Sequence, residues 1–98
     1  MQSWRVDNPA GDPVEIQGED LVSALSRHRE ALLAVAFPNG IETVDRAWMR
    51  WNEELFDGEG GVEITVTGRS GGGERQGLLA VHAAPGEIAP DTGRSVFF

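Results

Sequence analysis

Five residues, Gly68-Arg69-Ser70-Gly71-Gly72, carry the letters of the G-x-S-x-G nucleophile elbow, in which a sharp strand-to-helix turn exposes a serine hydroxyl for acyl transfer. The match stops at the letters. No helix can start in the following Gly-Glu-Arg-Gln-Gly, and His82 precedes Asp91, whereas that fold needs serine, acid and histidine in that order. The same glycines do not make a phosphate cradle. A Walker loop needs a lysine, of which the chain has none, and a dinucleotide fingerprint starting at Gly71 needs glycine where Gln76 stands. What remains is a flexible hairpin loop whose Arg69 and Arg75 are placed to touch an anionic patch.

Metal chemistry fares no better. His28 and His82 are the two histidines, with no i,i+4 pair or H-E-x-x-H between them. His28 falls on the apolar arc of a helix as a structural or pH-responsive residue. His82 points opposite Val81 and lines a second sheet face. The stretch Asp57 to Glu63, DGEGGVE, alternates acids early, but a calcium loop starting at Asp57 would require glycine at Val62 and glutamate at Gly68. Glu53 and Glu54 are helix neighbours about 100° apart, not an acid and a base across a cleft. No catalytic residue, metal site or cofactor is therefore expected.

Composition points the same way. Ninety-eight residues make one domain, which buries about two-thirds of its unfolded surface. Cysteine, lysine and tyrosine are all absent, removing thiol, Schiff-base and phenol chemistry. Neither a spanning apolar segment nor a signal peptide is legible, so the chain is expected in the cytoplasm. Sixteen acids against eight arginines give a net charge of −8. The stretches from Asp7 to Asp20 and from Glu53 to Glu63 hold five acids each and no arginine, so the remainder nets +2. Direct binding to nucleic acid or to an anionic membrane is disfavoured, because Lys and Arg supply most such affinity. A basic protein partner is favoured by the same arithmetic.

The elements that would position these groups read as an α+β domain. Trp4/Val6 and Val14/Ile16 alternate as two strands joined by the turn-rich Asp7 to Pro13. From Glu19 the period becomes helical, with Leu21, Ala24, Leu25, His28, Ala31 and Leu32 on one arc. Leu32 to Phe37 reads as a buried strand, the alternative being one long helix from Glu19 to Phe37. A second helix is predicted where Ile41, Val44, Trp48, Trp51 and Leu55 share an arc of roughly 80°, with Glu42/Arg46 and Arg50/Glu54 as i,i+4 pairs and Asp57-Gly58 as its end. Val62, Ile64 and Val66 alternate against Glu63, Thr65 and Thr67 as a half-buried strand, and Gly77 to Ala83 pairs with it across a long loop. Ala84 to Gly93 is a surface excursion, and Ser95 to Phe98 is a short closing strand. The expected fold is an antiparallel or mixed sheet of about five short strands with two amphipathic helices packed on one face.

Two functions from different classes are compatible with this outline. The first is a small, acidic, non-catalytic protein-binding module, an inhibitor or regulator of a basic nucleic-acid-handling partner of the immunity, antitoxin or anti-CRISPR type. Its expected contact residues are Glu53, Glu54, Asp57 and Glu59, with Met49 and Phe56 on the flank of the second helix. The second is an oligomeric structural or accessory subunit, such as a homodimer, using the Trp48/Trp51 helix as its interface. An enzyme, resting on His28, His82 and scattered carboxylates, ranks third.

Overall fold

The computed structural model describes residues 1–84 and 94–95, and for the last two the backbone alone. Five strands, β1 (Gln2–Val6), β2 (Val14–Gly18), β3 (Thr43–Asn52), β4 (Gly61–Ser70) and β5 (Gly73–His82), join the two-residue β6 (Arg94–Ser95) in one sheet ordered β2-β1-β5-β4-β3-β6. Every neighbouring pair is antiparallel. Two helices, α1 (Leu21–Arg27) and α2 (Arg29–Ala36), follow β2 and pack on β2 and β5. The α+β expectation stands, with β4 and β5 longer than expected.

The strands follow from alternation. Val14, Val6, Val81, Val62 and Trp51 stand in register across five strands, and their neighbours Ile16, Trp4, Ile64, Leu79 and Met49 extend the same buried face. Leu21, Ala24, Leu25 and Leu32 close the core from the helix side. Burying a side chain of this size stabilises by about 1.5–3 kcal/mol. The Asp7 to Pro13 loop holds as expected, with Asn8 Oδ1 accepting from the Ala10 amide at 3.2 Å.

Both helices reach the sheet through a missing side chain. A Cβ on Gly18 would sit 2.7 Å from the Ala24 amide nitrogen, and one on Gly77 would sit 2.6 Å from the Ala36 carbonyl oxygen. α1 starts at Asp20, whose carboxylate accepts from the Ser23 amide at 2.7 Å, an N-cap.

Three expectations are overturned. Leu32 to Phe37 is not a strand; Arg29–Ala36 is helical, and the long-helix alternative comes closer, interrupted at His28 (φ −105°, ψ 28°). The break re-aims α2, so that Leu32 and Phe37 are buried and Leu33 half-buried, which one unbroken arc does not permit. The helix from Ile41 to Leu55 does not form; Thr43–Asn52 is a strand along β4. The helical ion pairs go with it: Arg50 instead meets Glu63 at 2.9 Å across the strands, and Glu42 Oε1 accepts from the Gly71 amide at 3.0 Å. Finally, the hairpin loop is short. Ser70 pairs with Gly73 around Gly71-Gly72, both at positive φ (62° and 79°), as in a two-residue type I′ turn. Arg69 and Arg75 are therefore strand residues, and Arg69 is bonded to Asp45 at 3.2 Å. Pro85 to Gly93 and Val96 to Phe98, expected as excursion and closing strand, lie outside the described residues, although Ser95 does pair with Trp48.

Candidate functional site: the acidic turn at one end of the sheet

β3 and β4 are joined by residues 53–60, and Glu53, Glu54, Asp57 and Glu59 are all exposed there. The turn contains no arginine. Its backbone is tied down: the Asn52 carboxamide accepts from the Glu54 amide at 2.9 Å, Glu59 N–H donates to Phe56 O at 3.2 Å, and Gly60 N–H donates to Leu55 O at 2.9 Å. Two non-glycine residues, Phe56 (φ 54°) and Asp57 (φ 58°), are held left-handed. That conformation costs about 1–2 kcal/mol per residue for an ordinary L side chain, so surrounding contacts must fix it.

Two aromatic rings supply those contacts from opposite sides of the sheet. The Trp51 ring covers Gly60, where a Cβ would come within 2.5 Å of its Cζ2. The Phe56 ring covers Gly61, where a Cβ would come within 2.6 Å of its Cε2. Phe56 then stacks on His82 of β5, centroids 3.6 Å apart and planes 19° apart. Only hydrogen fits beneath each ring, which accounts for the glycine doublet.

The turn stands among other acids. β2 ends at Gly18, opposite Gln2, so Glu19 and Asp20 lie at the same end of the sheet. A cleft lined by Gln2, Trp4, Glu59, Gly60 and His82 separates the turn from the start of β1. Asp7 and Asp12 belong to the β1–β2 loop beyond Val6 and Val14, further down the sheet, so the first acidic stretch is split between two places.

The opposite balance holds on the sheet face without helices. Among the described residues Arg5, Arg46, Arg50 and Arg69 stand there against Glu15, Asp45, Glu63 and Glu74, four against four, so the described charges of that face cancel.

Of the expected contact residues, Glu53, Glu54, Phe56, Asp57 and Glu59 are brought together on this one turn. Met49 is not among them. It is a fully buried core residue of β3, because in a strand it shares the inward face with Ala47 and Trp51. Trp48 and Trp51, expected on one helical arc, point to opposite faces of the sheet: Trp51 towards Gly60 and the core, Trp48 outward beneath the Arg46 guanidinium at 4.5 Å. The helix expected to present both rings on one surface does not form. Sequence reasoning missed His82, Asn52 and Gly61 as the residues that hold the turn; the adjacent glycines were the available signal.

The histidines have separate partners. His82 stacks on Phe56, while His28 Nε2 accepts from the Gln17 amide at 3.1 Å on the outer strand. Among the described residues no three His, Asp or Glu side chains are grouped to hold a metal ion, and no helix is long and apolar enough to cross a membrane. No protein family, curated protein or solved structure matches the chain.

Proposed function

We propose that the chain is a non-catalytic binding protein whose acidic turn engages a basic, nucleic-acid-handling protein in the cytoplasm, as an inhibitor or regulator of the immunity, antitoxin or anti-CRISPR kind. The observation that carries the reading is the turn itself: Glu53, Glu54, Asp57 and Glu59 are exposed on eight tightly bonded residues. None of the four is ion-paired within the described residues. A partner site built to hold phosphates presents converging Arg and Lys, and a preformed row of carboxylates meets such a site with little ordering cost. Two left-handed residues kept in such a loop are the kind of strain that functional segments retain. The chain's net charge of −8 also speeds encounter with a basic partner at low salt.

The experiment is capture of the tagged protein's partners from its native lysate at low salt, elution by rising salt, and identification by mass spectrometry. Affinity for the recovered partner is then measured for the wild type and for the combined variant Glu53→Gln, Glu54→Gln, Asp57→Asn and Glu59→Gln. The reading expects one basic protein, binding that weakens steeply with salt, and a combined variant that folds but binds weakly with a flattened salt dependence. Unchanged affinity in that variant sinks the reading.

A further inference from the structure

The chain holds three asparagines, and the fold treats them differently. Asn8 precedes Pro9, which has no amide N–H, and its side chain accepts from the Ala10 amide at 3.2 Å and donates to Asp12 O at 3.2 Å. Asn52 is half-buried; its carboxamide accepts from the Glu54 amide at 2.9 Å and donates to the Glu63 carboxylate at 3.2 Å. Asn39 is exposed in the loop between α2 and β3, and among the described residues no hydrogen bond ties its side chain. Gly40 follows it, exposed and at φ 90°, with no atom within 4 Å of where a Cβ would stand.

We infer that Asn39-Gly40 is a site of spontaneous modification, at which the carboxamide is lost through a cyclic imide, and that the product loosens the joint between α2 and β3. The Gly40 nitrogen, after giving its proton to solvent base, attacks Cγ of Asn39. The new N–Cγ bond closes a five-membered succinimide, the Cγ–Nδ2 bond breaks, and the released nitrogen takes up protons and leaves as ammonia. Water then opens the ring at either carbonyl, giving aspartate in one case and isoaspartate in the other. One water enters and one ammonia leaves, with no change of oxidation state. A side chain on residue 40 would crowd the attack, and glycine leaves it open. Asp57-Gly58 has the same following residue, but its side chain ends in a carboxylate, a far poorer electrophile than a carboxamide.

The turn both restrains this step and is altered by it. Pro38 and Asn39 are its central residues, closed by the Gly40 N–H on Phe37 O at 2.9 Å. That bond holds the proton that must be lost, so the reaction proceeds from a locally opened turn. Isoaspartate carries the backbone through its β-carbon, which adds an atom to the turn, and the bond to Phe37 O no longer closes in the same geometry. Phe37 is buried and anchors the end of α2. The new carboxylate also stands about one turn beyond the helix C-terminus, where the dipole disfavours an anion. The site lies at the end of β3 away from the acidic turn, so the conversion is independent of partner binding there.

The test is prolonged incubation of the purified full chain in mildly alkaline and in mildly acidic buffer, followed by tryptic digestion and mass spectrometry. Cleavage after arginine places the three asparagines on separate peptides, residues 6–27, 30–46 and 51–69. The 30–46 peptide is expected to lose the mass of an ammonia and gain that of a water, faster in the alkaline buffer, and to separate on chromatography into aspartate and isoaspartate forms. The other two peptides should stay unconverted over the same period. Asn39→Gln, whose longer carboxamide closes only a six-membered ring, should keep its 30–46 peptide unchanged. The converted chain, separated by ion exchange on its added charge, should melt roughly 2–8 °C lower, the equivalent of one lost hydrogen bond. Conversion of the 30–46 peptide no faster than that of the other two, or into aspartate alone, overturns the site; an unchanged melting temperature overturns the loosening.

Discussion

Phe56 stacks on His82 across the backbone of Gly61, with ring centroids 3.6 Å apart, and so fastens the β3–β4 turn to β5, the next strand beyond β4. The contact explains how a left-handed phenylalanine persists. An aromatic pair of this kind contributes about 0.5–1.5 kcal/mol beyond its burial, comparable to the cost of the backbone conformation it holds. Phe56→Ala is therefore expected to lower unfolding stability by about 1–2 kcal/mol and to speed amide exchange at Gly60, whose N–H is bonded to Leu55 O. Gly61→Ala should cost more, because the new methyl meets both the Phe56 ring and the Val81 carbonyl oxygen, at 2.6 and 2.8 Å. Denaturant unfolding with hydrogen exchange checks both; a Phe56→Ala variant with unchanged exchange at Gly60 would show that the stack does not hold the turn.

The helix–sheet contact makes a second, independent prediction. At Gly77 an added Cβ lies 2.6 Å from the Ala36 carbonyl oxygen, and backbone cannot swing aside as a side chain can. Gly77→Ala must lift the end of α2 from β5, at a cost of about 1–3 kcal/mol as for other overpacked sites. Gly40→Ala is the contrasting case. It has open space around it but a φ of 90°, so its cost is conformational and α2 stays in place. Thermal unfolding of the two variants, with Trp fluorescence as a second probe, distinguishes loss of docking from loss of stability alone.

The parts of this fold that sequence reveals are those where one physical signal dominates. Val62, Ile64 and Val66 alternate without interruption, and β4 lies where alternation puts it. β3 was obscured by two local features. The register slips between Val44 and Arg46, so Val44 and Ala47, three residues apart, face the same side, which imitates a helical spacing. Trp48 then places an aromatic ring on the sheet face opposite the helices, where alternation calls for a polar residue. α2 was misread because His28 shifts the helical phase, and a phase shift leaves no mark in composition. As for the candidate site, its four carboxylates were legible from charge alone. The clamp was not, since His82 lies 26 positions from Phe56 and meets it only through the order of strands in the sheet.

Met49 provides a direct check on the corrected element. As a strand residue it is fully buried between Ala47 and Trp51 on the inward face, whereas on a helix flank it would be available to a partner. Met49→Ala is expected to cost about 2–5 kcal/mol, the range for truncating a large core side chain. Met49→Leu, close in volume, should cost less than about 1.5 kcal/mol. Urea unfolding of the pair decides: two variants of near wild-type stability would place Met49 on the surface.

Asp57 allows stability and binding to be moved in opposite directions. Its φ of 58° strains an aspartate less than most residues, yet still more than glycine, which adopts that conformation freely. Asp57→Gly removes the strain and one carboxylate together. Its gain in the folded state is offset in part by the greater freedom of glycine in the unfolded chain, so the net change in stability should lie between zero and about +1 kcal/mol. Under the proposed function, binding to a basic partner should fall through the lost charge, and with it the slope of affinity against salt. Asp57→Asn separates the two effects, because it removes the charge and keeps the side chain's tolerance of the left-handed region. The expected order of partner affinity is wild type above both variants, with the two variants close together. If Asp57→Gly alone weakened binding, shape would be the determinant at this position, and the carboxylate reading of the turn would lose its support there.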